Sequence, residues 1–147
     1  MTTWGEFKEA APELAAFVES RFQDAEVAYI ATVQPDGSPR VHPVTPIVGE
    51  GRLFLFMEPT SPKGQDLRRN PAYAMHSLVT DQNGTPGEFW IMGHAVRAVD
   101  SSTRAVAVAA AAYDPADRYI LFELSVQHAA STVYEGNEPL RRRWRAE

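Results

Sequence analysis

Cysteine is absent from this 147-residue chain. That excludes disulfides, thiolate-bound metals and thiol nucleophiles together. Long apolar runs are absent too. Ala105–Ala112 is the nearest thing to one, and it falls well short of the ~20 residues a membrane helix needs. The opening residues, Met1 to Glu6, show no basic region followed by an apolar stretch, so no secretory signal is read there. A cytoplasmic protein is expected. An excess of positive charge is also lacking. The net charge is −5, which argues against a nucleic-acid partner. The basic cluster Arg141, Arg142, Arg143 and Arg145 reads as a solvated tail or a surface paired with acidic groups. No strand–Gly-x-Ser-x-Gly–helix turn is present, so a serine hydrolase is disfavoured. His42, His76, His94 and His128 lie far apart and form no His-x-His or His-x-x-x-His pair, so no metal site is expected. What remains is 44% hydrophobic and 22% charged, an ordinary globular composition. Its length suits a single domain, residues 1–147.

Helical signals open the chain. Thr3 and Glu6 have capping-box spacing. Pro12 suits the first turn of a second helix. Leu14, Phe17, Val18 and Phe22 then fall on one helical face. From Val27 to Val33 the pattern becomes that of a strand. Pro35 to Ser38 is a turn in which Pro fixes φ and Gly37 takes positive φ. Arg40–Val48 reads as a second strand, interrupted by Pro43 and Pro46 and therefore at an edge or bulged. Gly49-Glu50-Gly51 turns the chain into a third strand, Arg52–Met57. Ser61 is a good N-cap and Pro62 a good first residue for a short helix ending near Asn70. Strands follow at Tyr73–Thr80 and Phe89–Val99, joined by the polar loop Asp81–Gly87. An Ala-rich helix runs from Asp100 or Ser101 to about Tyr113. A strand at Tyr119–Val126 comes last, with Ala130–Tyr134 as its continuation. The fold class expected is mainly β with helical inserts, a closed or nearly closed barrel of about six antiparallel strands.

The strongest local chemistry is Thr60-Ser61-Pro62-Lys63. A helix N-terminus presents free N–H groups and partial positive charge to an anion. Ser61 adds a hydroxyl, Lys63 a full charge, and Arg40 a guanidinium able to grip two phosphate oxygens. His42 follows Arg40 by two residues and shares its strand face. The segments Ile30–Val44, Leu53–Pro71 and Phe89–Arg97, in that order, resemble the first hairpin, the phosphate-binding strand and helix, and the Gly-containing strand of the pyridoxamine 5′-phosphate oxidase superfamily, the FMN-binding split β-barrels. The likeness spans about Val27 to Val133. It implies FMN in a groove between the subunits of a homodimer. It places Arg40 and Val41 at the flavin and its phosphate tail, and lets His42 line the groove. Phe56 and Met57 lie on the strand whose backbone passes the ring. Ser61 and Lys63 form the phosphate-binding turn, and Glu88 or Trp90 lies near the ring or ribityl chain.

Departures from the family pattern narrow the expectation. Pro62 stands where the vitamin B6 oxidases carry an Arg, Thr45 where they carry a Lys, and Glu88 where a Gln contacts FMN. The longer C-terminal segment that binds their substrate has no counterpart after Trp144. The expected function is therefore an FMN-binding oxidoreductase acting on a small molecule, other than a true pyridoxamine phosphate oxidase. No side chain stands out as a catalytic acid or base. Two alternatives stay open: a non-catalytic flavin carrier or stress-associated binding protein, and a deazaflavin-dependent reductase using Arg68, Arg69 and Arg97 for a longer anionic tail. The same fold also hosts haem binders, and fold alone does not choose among these ligands.

Overall fold

A computed structural model describes residues 1–147. Helix α1 (Trp4–Ala10) begins at the Thr3 capping box, with both reciprocal hydrogen bonds made. Helix α2 (Pro12–Ala25) starts on Pro12 and buries Leu14, Ala15, Val18 and Phe22. Nine strands follow: β1 (Ala28–Val33), β2 (Pro39–Val44), β3 (Ile47–Gly49), β4 (Arg52–Met57), β5 (Ala72–Ser77), β6 (Glu88–Ala98), β7 (Ile120–Leu124), β8 (His128–Glu135) and β9 (Glu138–Arg145). Helix α3 (Pro62–Arg69) sits between β4 and β5, and α4 (Ser101–Ala110) between β6 and β7. No helix is long and apolar enough to cross a membrane.

The strands form one curled antiparallel sheet hinged on β6. The Glu88–Met92 half of β6 pairs with β8 and, from Trp90 onward, with β5; its Ala95–Ala98 half pairs with β7. From the first half the ladder runs to β2 through β5 and β1, and to β9 through β8; from the second it runs to β3 through β7 and β4. The ladder does not close on itself, because β2, β3 and β9 are end strands. This is the split β-barrel. Gly93 sits at the crossing. A Cβ there would collide with the Ser125 carbonyl, so the close pass of the β7–β8 connection depends on glycine.

Several sequence expectations need correction. The strand count is nine, above the six expected. The Arg40–Val48 strand is two strands, β2 and β3, broken at Thr45-Pro46, where proline cannot supply a ladder N–H. Of the two expectations for the Arg141–Arg145 cluster, the tail is overturned, since it lies on β9 paired along its length with β8, while Arg142 does pair with an acidic group, Glu13. The Ala-rich helix stops at Ala110. Apart from these corrections, β9 is tied to α1 by Trp144, which packs against Phe7 with ring centroids 5.0 Å apart.

The main core fills the concave side of the sheet under α1 and α2, with Trp4, Phe7, Ile30, Leu55, Met75, Phe89, Ile91 and Phe122 buried. A smaller core lies on the other side of β4, where Ile47, Phe54 and Leu121 meet Ala107 of α4. The outer face of the β2-β1-β5-β6-β8 half has no helix over it.

Candidate functional site

Register decides which side chains meet. Across β1 and β2, Thr32 stands opposite Arg40 and Ile30 opposite His42. Directly paired residues share a sheet face. Thr32 and Ile30 are buried, so Arg40 and His42 also point inward, at the edge of the sheet where α3 lies. Ser61 caps α3, accepting from Gly64 N–H at 3.2 Å. The hydroxyl expected to face a phosphate is thus already occupied by its own helix. Gly64 is buried close to β4, where a Cβ would come within 3.1 Å of Met57 Sδ.

Lys63, in the first turn of α3, is partly buried and makes no ion pair or hydrogen bond to the protein. Burial lowers its pKa. His42 makes no hydrogen bond either. Burial first, then the charges of Lys63 and Arg40, lower its pKa, which places the three side chains within electrostatic reach. Arg40 donates Nε–H to Asp66 Oδ2 at 2.7 Å and Nη2–H to Gln34 Oε1 at 3.0 Å. Its Nη1 has no partner in the protein. Asp66 was not singled out by sequence, yet it is buried beneath these cations. Burial works against its charge, but hydrogen bonds from Arg40, Thr32 and Arg69 hold its pKa below the usual carboxylate value. The only signal that could have found it was its place five residues after the Ser61 N-cap, on the side of α3 that also buries Leu67.

The remaining site candidates fall elsewhere. Val41 points outward and is 63% exposed. Glu88 and Trp90 share that outer face: Glu88 lies 3.3 Å from His76 Nε2, and Trp90 meets the His128 ring edge-to-face at 4.6 Å. Within one chain the sheet separates these three from Arg40 and Lys63. Phe56 turns to the small core, with the Arg104 guanidinium 5.0 Å from its ring centroid. Arg68 is engaged with the Gly64 and Pro59 carbonyls. Arg69 is engaged with Val33 O and Asp66. Both therefore spend their Nη2 on the protein, as Arg40 does. Arg97 lies on the other half of β6, across from Phe122.

A concavity of about 900 Å³ lies in a different place, between the C-terminal end of α2, the β2–β4 segment and the residues around the end of α4. Its charged lining is Glu19, Glu26, Glu50 and Lys8, and Lys8 is paired with Glu19 at 3.1 Å. Its size alone does not make it the anion site, because carboxylates outnumber cations there. In the α3 cluster Arg40 and Arg69 share Asp66 as their counter-ion, and Lys63 is left without one.

The sequence model of the family described as pyridoxamine 5′-phosphate oxidase matches residues 11–134. No curated protein matches the sequence. Solved structures share the fold at low identity. A heme binding protein from Mycobacterium smegmatis superposes with a TM-score of 0.67 at 20% identity, over 88% of this chain and 57% of that one; the chain therefore spans little more than half of that relative. A NimC/NimA family protein from Clostridium acetobutylicum gives 0.65 at 18% identity, over 89% of this chain and 92% of that one. A protein related to general stress protein 26, of the pyridoxinephosphate oxidase family and from the same organism, gives 0.62 at 12% identity, over 86% and 92%.

Proposed function

The chain belongs to the pyridoxamine 5′-phosphate oxidase family, and on that footing we propose that it is an FMN-binding oxidoreductase acting on a small molecule. One observation carries this reading: Lys63 is partly buried with no counter-ion, beside His42 and the free Nη1 of Arg40. A desolvated cation without a partner is costly. A phosphate held there would relieve that cost. Lys63 supplies a point charge and its backbone N–H at the start of α3, and Arg40 a directional donor pair. The residues present therefore fit the phosphate end of FMN. The bound flavin supplies hydride or electron transfer.

The proposed homodimer supports the same reading. The uncovered sheet face carries Tyr29, Val41 and Met92 as exposed apolar side chains, with Glu88 and Trp90 beside them. A second copy on this face would bring Glu88 and Trp90 of one chain toward the flavin groove of the other. That would reconcile their outward position with a role near the ring.

Absorbance of the purified protein, before and after adding FMN, tests the proposal. A flavin band pair retained through gel filtration, and bleached repeatedly by a nicotinamide donor, is expected. A Soret band instead would move the protein to the haem binders its fold also resembles. Retained flavin with no turnover would make it a carrier. Retention of a deazaflavin but not FMN would replace the cofactor.

A further inference from the structure

Asp66 is 2% exposed and lies among cations. It accepts three hydrogen bonds: from Thr32 Oγ1 at 2.8 Å and Arg40 Nε at 2.7 Å on Oδ2, and from Arg69 Nη2 at 3.0 Å on Oδ1. A buried carboxylate needs such compensation merely to exist, and pinning α3 to the β1–β2 hairpin would be reason enough for it. The geometry at Arg40 points further. Asp66 does not take the guanidinium by its terminal fork. It takes the single Nε–H, while Gln34 takes one Nη2–H. The Nη1 side remains free, in a side chain that is 27% exposed. Thr32 stands opposite Arg40 in the ladder and binds the same carboxylate oxygen, so that oxygen is itself fixed in place.

Building on the FMN reading above, we infer that Asp66 is a positioning residue of the anion site. It holds Arg40 from behind, so that the free side of the guanidinium faces the mouth shared with Lys63 and His42. It also trims the charge. Asp66 cancels one of the charges carried by Arg40 and Arg69. Together with Lys63 the cluster keeps an excess of two, matching a phosphate monoester dianion. His42, its pKa lowered, stays neutral above mildly acidic pH and adds none.

Removing Asp66 sets positioning against charge with opposite signs. Loss of one negative charge by itself would tighten a dianion. Loss of the support behind Arg40 would loosen it, and misplaced contacts of this kind cost on the order of ten- to a hundredfold. The test titrates the unaltered protein, Asp66→Asn and Thr32→Val with FMN, riboflavin and inorganic phosphate. Flavin fluorescence and the NMR signal of the His42 imidazole are the readouts. Asp66→Asn is expected to weaken FMN and phosphate roughly tenfold and to leave riboflavin unchanged. Thr32→Val is nearly isosteric and charge-neutral; it should shift both anions in the same direction by less. If Asp66→Asn does not fold, Thr32→Val decides alone. Unchanged or tighter anion binding in folded variants overturns the inference, as does an equal loss for riboflavin. If FMN fails to bind the unaltered protein while phosphate still moves His42 and loses that effect in the variants, the flavin reading falls and the positioning role stands. If neither FMN nor phosphate binds the unaltered protein, both fall.

Discussion

Lys63 and His42 are where the chemistry of this protein can be read one side chain at a time. Lys63→Ala should weaken FMN by roughly ten- to a hundredfold, the worth of a charge-assisted hydrogen bond, and leave riboflavin nearly untouched because riboflavin has no phosphate. Equal losses for the two flavins, measured by fluorescence quenching, would place Lys63 away from the phosphate. His42 gives a pH signature. Burial, Lys63 and Arg40 together hold its pKa below 6.5 in the free protein, so the neutral form prevails at pH 7. A bound dianion offsets the two neighbouring cations and so favours the charged form. The His42 pKa should therefore rise when FMN binds, with net proton uptake as pH falls through the window below 6.5. NMR titration of the imidazole with FMN and with riboflavin checks this, and a rise with both ligands would point to burial by the ring instead of the phosphate.

Among the elements, β6 does the most. Its Glu88–Met92 half belongs to one side of the split barrel and its Ala95–Ala98 half to the other, and Gly93 lies between them. The Ser125 side chain accepts from His94 N–H at 3.0 Å, and Gln127 N–H donates to Met92 O at 2.8 Å. The β7–β8 connection is thereby clamped over the glycine. Gly93→Ala must push that backbone away. A loss of about 1–3 kcal/mol or more is expected from such overpacking, read as a lower urea midpoint. An unchanged midpoint would show that the connection yields without cost. The β3–β4 hairpin illustrates a second local rule. Glu50 and Gly51 both take positive φ, 50° and 70°, as a two-residue type I′ turn requires.

For the whole molecule, the uncovered face of the sheet is the main unpaired feature. Val41, Tyr29 and Met92 are 63%, 40% and 43% exposed, an apolar group that commonly marks an interface. Sedimentation at micromolar concentration should show a dimer, and Val41→Asp should shift it toward monomer by burying a charge. A monomer for the unaltered protein with FMN present would count against the shared-groove reading. The large groove beside Thr45 bears on substrate choice. It holds Glu19, Glu26 and Glu50 against a single lysine, and Thr45 adds no charge. Pyridoxine and pyridoxamine 5′-phosphates should therefore be poor substrates of the FMN-loaded protein. Saturating turnover to pyridoxal phosphate at low substrate would refute this.

The amino-acid sequence by itself determined whatever depends on near neighbours. The Thr3 capping box, Pro12 at the start of α2, the turn at Gly37 and the Ser61-Pro62 start of α3 were all legible, because a cap or turn is satisfied within a few residues. The alternation of Arg40 and His42 onto one face was legible for the same reason. The ordered resemblance of three segments pointed to the family, which the match over residues 11–134 then showed. Only the tertiary structure decided the rest. β9 is polar and exposed along most of its length, so no apolar alternation announced it; it is a strand because β8 pairs with it. Met57 and Phe56 alternate as strand neighbours must, but it is α4 that makes the far side of β4 a second core. Asp66 meets Thr32 and Arg40 across 34 and 26 residues of chain, and nothing in its own segment foretells a buried carboxylate there. Such partners are chosen by register and packing between distant segments.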